Sequence, residues 1–267
     1  MRIDQLLCER GLASSRSQAQ RLIAAGVQWR LEAGLPWRRV AKNGDEVSAD
    51  AEIELLDVSE SRYVSRGGLK LEGALRLTGL DVSGLHCLDV GQSTGGFTDC
   101  LLQQGAAHVV GVDVGYGQVH QRIRDDERVT CLERINAREL VAEDLLLAAE
   151  DVTPDSVELA TEFDVVTGDL SFISLTLVLP ALVPLLKDDG DLLMLVKPQF
   201  ELQPGQIGKH GLVKDPALYA VVEQRIRDTC AALGLVVQGW FDSPITGGDG
   251  NREFFVHARK SGDDESL

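Results

Sequence analysis

The chain has 267 residues, of which 44% are hydrophobic, which is enough for one large hydrophobic core and a small additional domain. Its formal charge of −16 is uneven, because residues 1–43 contain eight Lys or Arg against only three Asp or Glu. Salt screens repulsion beyond about 8–10 Å, so this net charge does not exclude a nucleic-acid partner. The five cysteines form no Cys-x-x-Cys pair and no signal-peptide pattern is present, which argues against a disulfide-rich secreted protein and predicts a cytoplasmic one.

The sequence pattern also argues against a membrane-spanning protein and a metal-binding protein. The charge-free run at residues 170–186 is 17 residues long and contains two prolines, whereas a bilayer span needs about 20 apolar residues. The five histidines show no metal-ligand spacing, so no metal site and no membrane association are predicted. The oligomeric state is left open.

Residues 1–60 predict a small basic α+β domain. Ile3, Leu6 and Leu7 give one apolar helical face, and Ser15 with Gln18 forms a capping box for a second helix over 16–25. Strands are predicted at 27–29 and 46–56, with a turn at 42–45 and a linker near 57–62. Trp37, beside two arginines, is a packing residue or a base-stacking one.

Residues 61–260 predict an α/β domain with a Rossmann-like, mainly parallel sheet, because strands alternate with helical stretches. The acidic segment 142–162 is interpreted as an irregular, solvated insertion, and residues 261–267 as a disordered tail. A helix at 216–233 precedes two strands with no helix between them, which predicts an antiparallel terminal hairpin. The predicted strands lie at 86–91, 108–114, 129–133, 163–169, 190–197, 235–241 and 252–258.

A glycine turn follows the first strand of this domain. Gly91, Gly95 and Gly96 lie between the strand and a helix, and Asp113 ends the next strand 22 residues after Gly91. Such a turn lets a ligand approach the backbone, and an acid at this distance binds ribose hydroxyls. The spacing differs from the dinucleotide Gly-x-Gly-x-x-Gly pattern, so it predicts a nucleotide-like cofactor without a pyrophosphate.

Four polar residues are predicted to share one rim of the sheet. Asp169 and Lys197 follow apolar strands, Glu253 begins the last strand, and Lys70 lies in the helix leading into the sheet. Each has a structural alternative: Asp169 as a helix cap, Lys70 as an exposed helical lysine and Glu253 as a surface strand residue. A lysine directly after five apolar strand residues is costly unless it is paired or functional.

Two lysines and two carboxylates suit methyl transfer to a poor nucleophile such as a ribose 2′-hydroxyl. The terminal hairpin also fits methyltransferases that use S-adenosylmethionine. The protein must align the acceptor oxygen and help to remove its proton. Lys197 could accept that proton or stabilise the developing oxyanion, while Asp169 and Glu253 orient the lysines and hold the hydroxyl.

Several long motifs resemble a known family. Ser15–Ile23 followed by Gly26-Val27 resembles the small RNA-binding domain named for ribosomal protein S-four. Residues 2–258 as a whole resemble the haemolysin-A-like (TlyA) family of ribosomal RNA methyltransferases. The motifs that carry this likeness lie at 63–71, 91–99, 113–118, 169–175, 197–201 and 250–253.

The resemblance implies an FtsJ-like domain, S-adenosylmethionine as cofactor and 2′-O-methylation of a cytidine in ribosomal RNA or a ribosomal subunit. The Lys-Asp-Lys-Glu tetrad of the family falls on Lys70, Asp169, Lys197 and Glu253. The predicted cofactor-binding residues are Asp89, Gly91, Ser93, Thr94, Gly95, Gly96, Phe97, Asp113 and Asn136. The predicted RNA-binding residues are Arg2, Arg10, Arg16, Arg21 and Arg66.

Two other functions compete with this prediction. A membrane-active haemolysin is suggested by the family's name, and an RNA-binding protein without catalysis by the basic N-terminal segment. Some relatives carry basic residues before the position of Arg2, and their absence here leaves open whether one or both ribosomal subunits are substrates.

Overall fold

A computed structural model describes residues 1–13, 15–56, 62–150 and 159–261 of the chain. The chain forms two compact units, Met1–Leu69 and Lys70–Leu267. The predicted linker and the predicted domain boundary at 60/61 fall on residues 57–61, and most of the predicted tail falls on 262–267. Both segments lie outside the described residues, so these boundaries stay predictions.

The first unit packs two helices against a three-stranded sheet. The helices are α1 (Ile3–Glu9) and α2 (Arg16–Gly26), and the strands are β1 (Val27–Arg30), β2 (Arg38–Arg39) and β3 (Glu52–Leu55). The sheet has the order β2-β1-β3 and both pairings are antiparallel. Ser15 caps α2 as predicted, with its hydroxyl accepting a hydrogen bond from the Gln18 N–H at 3.2 Å. Apolar residues from both helices and the sheet form one buried core.

The predicted strand over 46–56 is too long. Glu46 makes only an isolated bridge with Arg2, and the regular strand begins at Glu52. A turn closed by the Ala51 N–H and the Ser48 carbonyl oxygen at 3.1 Å interrupts the segment. The alternating apolar residues Val47 and Ile53 therefore reach the same core from two separate segments.

The second unit contains a seven-stranded sheet. Its strands are β4 (His86–Val90), β5 (His108–Asp113), β6 (Val129–Glu133), β7 (Phe163–Gly168), β8 (Leu186–Val196), β9 (Leu235–Asp242) and β10 (Phe254–Lys260). The order is β6-β5-β4-β7-β8-β10-β9. The first five strands of this order run parallel, and β10 is antiparallel to both β8 and β9. The predicted α/β sheet with an antiparallel terminal hairpin is confirmed.

The helices of this part of the chain are α3 (Gly67–Thr78), α4 (Gly96–Gln103), α5 (Gln121–Arg124), α6 (Ala142–Glu150), α7 (Leu175–Leu182), α8 (Pro198–Glu201) and α9 (Ala217–Ala232). Apolar side chains of α6, α7 and α9 and of the central strands form a second large core. Because β10 runs antiparallel, its first residue lies at the edge where the parallel strands end. This topology brings distant segments of the chain to one rim.

The interpretation of 142–162 as irregular and solvated is wrong for its first part. Residues 142–150 form α6, and Leu145 and Ala149 are buried in the core of the second unit. Their spacing of four residues puts both on one helical face, a signal that the many acidic residues obscured. Residues 151–158 lie outside the described residues.

The charge-free run at 170–186 is divided among several elements. It comprises a loop, α7, a single 3₁₀ turn at Val183–Leu185 and the first residue of β8. Within the described ranges, no helix is long and apolar enough to cross a membrane.

Candidate active site

The glycine turn after β4 approaches the backbone of the neighbouring strand. Gly91 has a φ of +81°, and a Cβ placed there would lie 3.2 Å from the Asp169 carbonyl oxygen. The Asp113 carboxylate accepts hydrogen bonds from the N–H groups of Ser93 at 2.7 Å and Gly115 at 2.6 Å. Asp113 therefore fixes the two loops that follow β4 and β5 relative to each other.

A cavity of about 500 Å³ opens at this rim. Its size is within the range of small-molecule sites, about 300–1,000 Å³. Four of the predicted cofactor-binding residues line it, namely Gly91, Ser93, Asp113 and Asn136. The other five, Asp89, Thr94, Gly95, Gly96 and Phe97, do not line it. Asp89 and Phe97 are buried, so they do not contact a ligand in the cavity directly.

Asp89 lies beneath the turn, fully buried. Its Oδ2 atom accepts hydrogen bonds from the backbone N–H of Thr98 at 3.0 Å and from the Thr98 hydroxyl at 2.7 Å. Burial raises the pKa of Asp89 to about 7, although the bonds from Thr98 lower it. Asp89 thus ties the start of α4 to β4 and sets the shape of the turn between them.

The four predicted tetrad residues form a continuous chain of ion pairs. The Lys70 ammonium lies 2.7 Å from Glu253 Oε2 and 3.8 Å from Asp169 Oδ2. The Lys197 ammonium lies 2.6 Å from Asp169 Oδ1. Each lysine thus has a carboxylate partner, and Asp169 joins the two pairs.

Burial differs along this chain of charges. The Glu253 side chain is 3% exposed and that of Lys70 8%, whereas Lys197 and Asp169 are 11% and 23% exposed. Desolvation raises the pKa of Glu253 above its usual value, and the Lys70 ammonium opposes that shift. The inner pair is therefore suited to holding geometry, and the outer pair is accessible to a reactant.

Close packing positions the Glu253 carboxylate. A Cβ at Gly247 would lie 2.6 Å from Glu253 Oε1, so a larger residue there would displace this carboxylate. The preceding Asn251 is buried and accepts a hydrogen bond from the Val213 N–H at 3.0 Å. Its amide nitrogen donates to the Gly211 carbonyl oxygen at 2.9 Å. The loop before β10 is thereby fixed at the rim.

Sequence reasoning missed three residues at the rim. Ser171 accepts a hydrogen bond from the Lys197 ammonium at 2.8 Å, and Phe172 and Gln118 line the cavity. The Phe172 side chain is 90% exposed and its backbone φ is +65°, an uncommon combination for an aromatic residue. Ser171 and Phe172 could have been predicted from their positions shortly after Asp169, because both lie within the recognised motif at 169–175.

The predicted RNA-binding arginines differ in environment. Arg2 forms a bidentate ion pair with Asp4, at 3.0 and 2.8 Å. Arg10 donates to the carbonyl oxygens of Ala49 and Ala51, which ties α1 to the segment before β3. Arg16 is exposed, whereas Arg21 and Arg66 are half-buried. Arg2 and Arg10 are therefore engaged in contacts within the first unit.

No group of three or more His, Cys, Asp or Glu side chains within the described residues has a geometry that would hold a metal ion. The five cysteines are free thiols. Burial raises the pKa of Cys87 to about 12, so this thiol stays protonated at neutral pH.

Comparison with known families places this geometry in context. The model for FtsJ-like methyltransferases matches residues 63–260, and the model for the S4 domain matches residues 1–26. The chain belongs to the TlyA family of FtsJ-like methyltransferases. One member, the 16S/23S rRNA (cytidine-2′-O)-methyltransferase TlyA of Mycobacterium tuberculosis, is 45% identical over 98% of this chain and 91% of the relative.

Other members of the family carry a different name. Hemolysin A of Brachyspira hyodysenteriae is 34% identical over 96% of this chain and 99% of the relative. A solved structure of a candidate hemolysin from Streptococcus thermophilus is 37% identical, with a TM-score of 0.72, and covers 100% of this chain and 92% of that one. Relatives with the haemolysin name thus match nearly the whole of this chain, as the methyltransferase-named relative does.

Proposed function

We propose that this protein transfers a methyl group from S-adenosylmethionine to the 2′-hydroxyl of a cytidine in ribosomal RNA. The observation that carries the proposal is the ion-pair chain from Glu253 through Lys70 and Asp169 to Lys197, beside a ligand-sized cavity. The name of the Mycobacterium tuberculosis relative supports the same reaction and substrate.

The cavity fits S-adenosylmethionine chemically. The Asp113 carboxylate lies on its wall and can accept hydrogen bonds from ribose hydroxyls, and Asn136 and Gln118 offer amide groups. Gly91 lines the cavity, so the backbone of the turn is accessible to a ligand. When bound, the cofactor supplies a methyl group already activated by a sulfonium centre.

We assign to Lys197 the role of acting on the acceptor oxygen of the ribose. Its ammonium is held by Asp169 at 2.6 Å and Ser171 at 2.8 Å, on the more accessible side of the tetrad. In this position it can stabilise the developing oxyanion, and in its neutral form it can accept the hydroxyl proton. Lys70 and Glu253 hold Asp169 in place from the buried side.

Phe172 and Phe200 are suited to hold the base of the target nucleotide. The two ring centroids lie 5.1 Å apart, and the Lys197 ammonium lies 6.0 Å from the centroid of Phe200. An exposed aromatic face beside a catalytic lysine offers a stacking surface for a base taken out of its helix. We assign Phe172 to this role because its ring is almost fully exposed.

The first unit is proposed to dock on folded ribosomal RNA. The match to the S4 domain and the basic composition of residues 1–43 support this assignment. A ribosomal RNA substrate is also consistent with a cytoplasmic location.

The decisive test is methylation of ribosomal RNA by the Lys197→Ala variant, measured with labelled cofactor. We expect the rate to fall by about 10²–10⁴-fold, the usual contribution of a positioned acid–base group. Calorimetry should show cofactor affinity largely retained. The matched control is Lys187→Ala, in which a lysine of β8 that pairs with Asp164 is removed.

Two outcomes would contradict the proposal. Unchanged methylation of ribosomal RNA in cells that carry only Lys197→Ala would favour an RNA-binding protein without catalysis. Leakage of liposomes caused by the purified protein, without methyl incorporation into ribosomal RNA, would favour a membrane-active haemolysin.

A further inference from the structure

The first and last members of the ion-pair chain, Glu253 and Lys197, belong to separate segments of the second unit. Lys197 directly follows β8, and Glu253 directly precedes β10. The ion pairs connect the two residues indirectly, through Lys70 and Asp169. Because this connection runs through long lysine side chains, the relative position of the two backbone segments depends on further contacts.

A hydrogen bond links these two segments more directly. Gln199 lies in α8, two residues after Lys197, and its amide nitrogen donates to Asp249 Oδ2 at 3.1 Å. Asp249 lies in the loop before β10, four residues before Glu253. The bond between Gln199 and Asp249 therefore joins the segment that carries Lys197 to the segment that carries Glu253.

The Asp249 carboxylate is fixed by its own loop. Its Oδ1 accepts a hydrogen bond from the Asn251 N–H at 3.0 Å, and its Oδ2 accepts one from the Asn251 amide nitrogen at 2.8 Å. Although burial acts to raise the pKa of Asp249, hydrogen bonds from Asn251 and Gln199 lower it below its usual value. A Cβ at Gly247 would lie 2.8 Å from Asp249 Oδ1 and 2.6 Å from Glu253 Oε1, so the two carboxylates flank the same glycine.

The stability of the fold does not explain the Gln199 amide. The side chain is buried, yet its Oε1 atom has no hydrogen-bond partner among the residues that the structure describes. A buried acceptor without a partner is unfavourable, and ordering a glutamine side chain costs conformational entropy. Asp249 would keep both bonds from Asn251 if the amide were removed. An apolar side chain of similar length would therefore suit the fold at least as well.

We propose that Gln199 is a positioning residue for methyl transfer, which holds Lys197 in register with Glu253 through its bond to Asp249. The inference rests on the proposed function, because it assigns a role within the same site. Neither Gln199 nor Asp249 is among the described residues that line the cavity, so this role concerns the chemical step and leaves cofactor binding unaffected. A displacement of about 1 Å in a reacting group can slow a reaction by about 10²-fold.

The test compares full-length Gln199→Met with the wild-type protein. Methionine keeps the length of the side chain and removes both of its hydrogen-bonding groups. We expect kcat for methylation of ribosomal RNA to fall by about 10–100-fold. The KM for RNA and the calorimetric affinity for S-adenosylmethionine should be unchanged, and the melting temperature should equal or exceed that of the wild type.

A matched control is available in α9. Gln224 there donates from its amide nitrogen to Asp228 Oδ1 at 2.7 Å, a contact of the same chemistry on an exposed helical surface. Gln224→Met should leave kcat unchanged. A wild-type kcat in Gln199→Met, or a fall in kcat that is accompanied by a lower melting temperature, would overturn the inference.

Two further variants test whether Gln199 acts through Asp249. Gln199→Glu places a second carboxylate beside Asp249, so repulsion should make it slower than Gln199→Met. The double variant Gln199→Met/Asp249→Ala should be no slower than the slower single variant, because each single change already removes the contact. Additive losses in the double variant would contradict the pairing.

Amide hydrogen exchange gives a readout that does not depend on activity. The Gly247 N–H donates to the Asn251 carbonyl oxygen at 2.9 Å, and the Gly250 N–H donates to the Gly247 carbonyl oxygen at 3.0 Å. Both amides lie in the loop that Asp249 belongs to, and they should exchange faster in Gln199→Met, whereas the amides of β5 should not change. Unchanged exchange in this loop would overturn the inference.

The two proposals can fail separately. If the wild-type protein methylates ribosomal RNA and Gln199→Met does so with the same kcat, only the role assigned to Gln199 fails. If the wild-type protein does not methylate while loop exchange rises in Gln199→Met, the bond holds the two segments as inferred, and the reaction assigned to the site fails.

Discussion

Asp89 shows how a single buried carboxyl group couples the turn to pH. Its pKa of about 7 lies well above the usual value near 4, because burial disfavours the charged form. The folded protein therefore binds this proton more tightly than the unfolded chain. The resulting stability is fully present below about pH 4 and is lost as pH rises through about 7.

We therefore expect Asp89→Asn to flatten the pH dependence of stability. Asparagine is neutral at every pH and can still accept the hydrogen bonds from Thr98. Between pH 4 and 8 the wild-type protein should lose up to about 4 kcal/mol of unfolding free energy relative to the variant. Denaturant titrations at several pH values measure this difference, and parallel curves for the two proteins would show that Asp89 is ionised throughout.

Asp113 has two roles in the site, and a single substitution removes both. Its carboxylate holds the N–H groups of Ser93 and Gly115 and also lines the cavity. Asp113→Ala should weaken binding of S-adenosylmethionine by about 1–3 kcal/mol, the cost of an unmade buried hydrogen bond. Calorimetry is the appropriate measurement, and an unchanged affinity would contradict a role in binding the ribose.

At the scale of elements, α7 and α8 are joined by one buried carboxylate. Glu201, at the end of α8, accepts hydrogen bonds from the Leu175 N–H at 2.8 Å and from the Ser174 hydroxyl at 2.5 Å. These groups begin α7, directly after the loop that carries Ser171 and Phe172. The contact thus holds the segment after Lys197 against the loop after Asp169.

Loss of this contact should affect both stability and turnover. Glu201→Ala leaves the Leu175 N–H unpaired, so we expect about 1–3 kcal/mol of destabilisation and a lower kcat with little change in cofactor affinity. Glu201→Gln keeps an acceptor oxygen for that N–H and should recover most of both losses. A fall in stability without any fall in kcat would show that the contact serves the fold alone.

The success of sequence-based prediction varied between elements for physical reasons. The strand β5 was placed within a residue because a continuous apolar run between turns is a strong signal. The helix α6 was missed because its acidic residues outweighed two buried apolar positions. The proximity of Asp169 and Lys197 followed from topology, since the ends of neighbouring parallel strands lie close together at one rim. The exposure of Phe172 did not follow, because it depends on the local backbone conformation at one residue.

At the scale of the whole molecule, each unit has its own apolar core. We therefore expect the chain from residue 62 onward to fold alone and to bind S-adenosylmethionine with an affinity close to that of the full protein. Its affinity for ribosomal RNA should fall by tenfold or more, because the basic residues of the first unit are gone. Filter binding and calorimetry on the two proteins give this comparison. Equal RNA affinity would contradict a docking role for the first unit.

The position of β10 between β8 and β9 has a consequence for synthesis of the protein. Lys70 is made early, yet its partner Glu253 belongs to the loop that leads into β10, the last strand that the structure describes. Domains fold as the chain emerges during translation, so the glycine turn and the cofactor cavity can form first. The tetrad is completed only when this final strand inserts, so we expect a nascent chain that lacks it to be inactive.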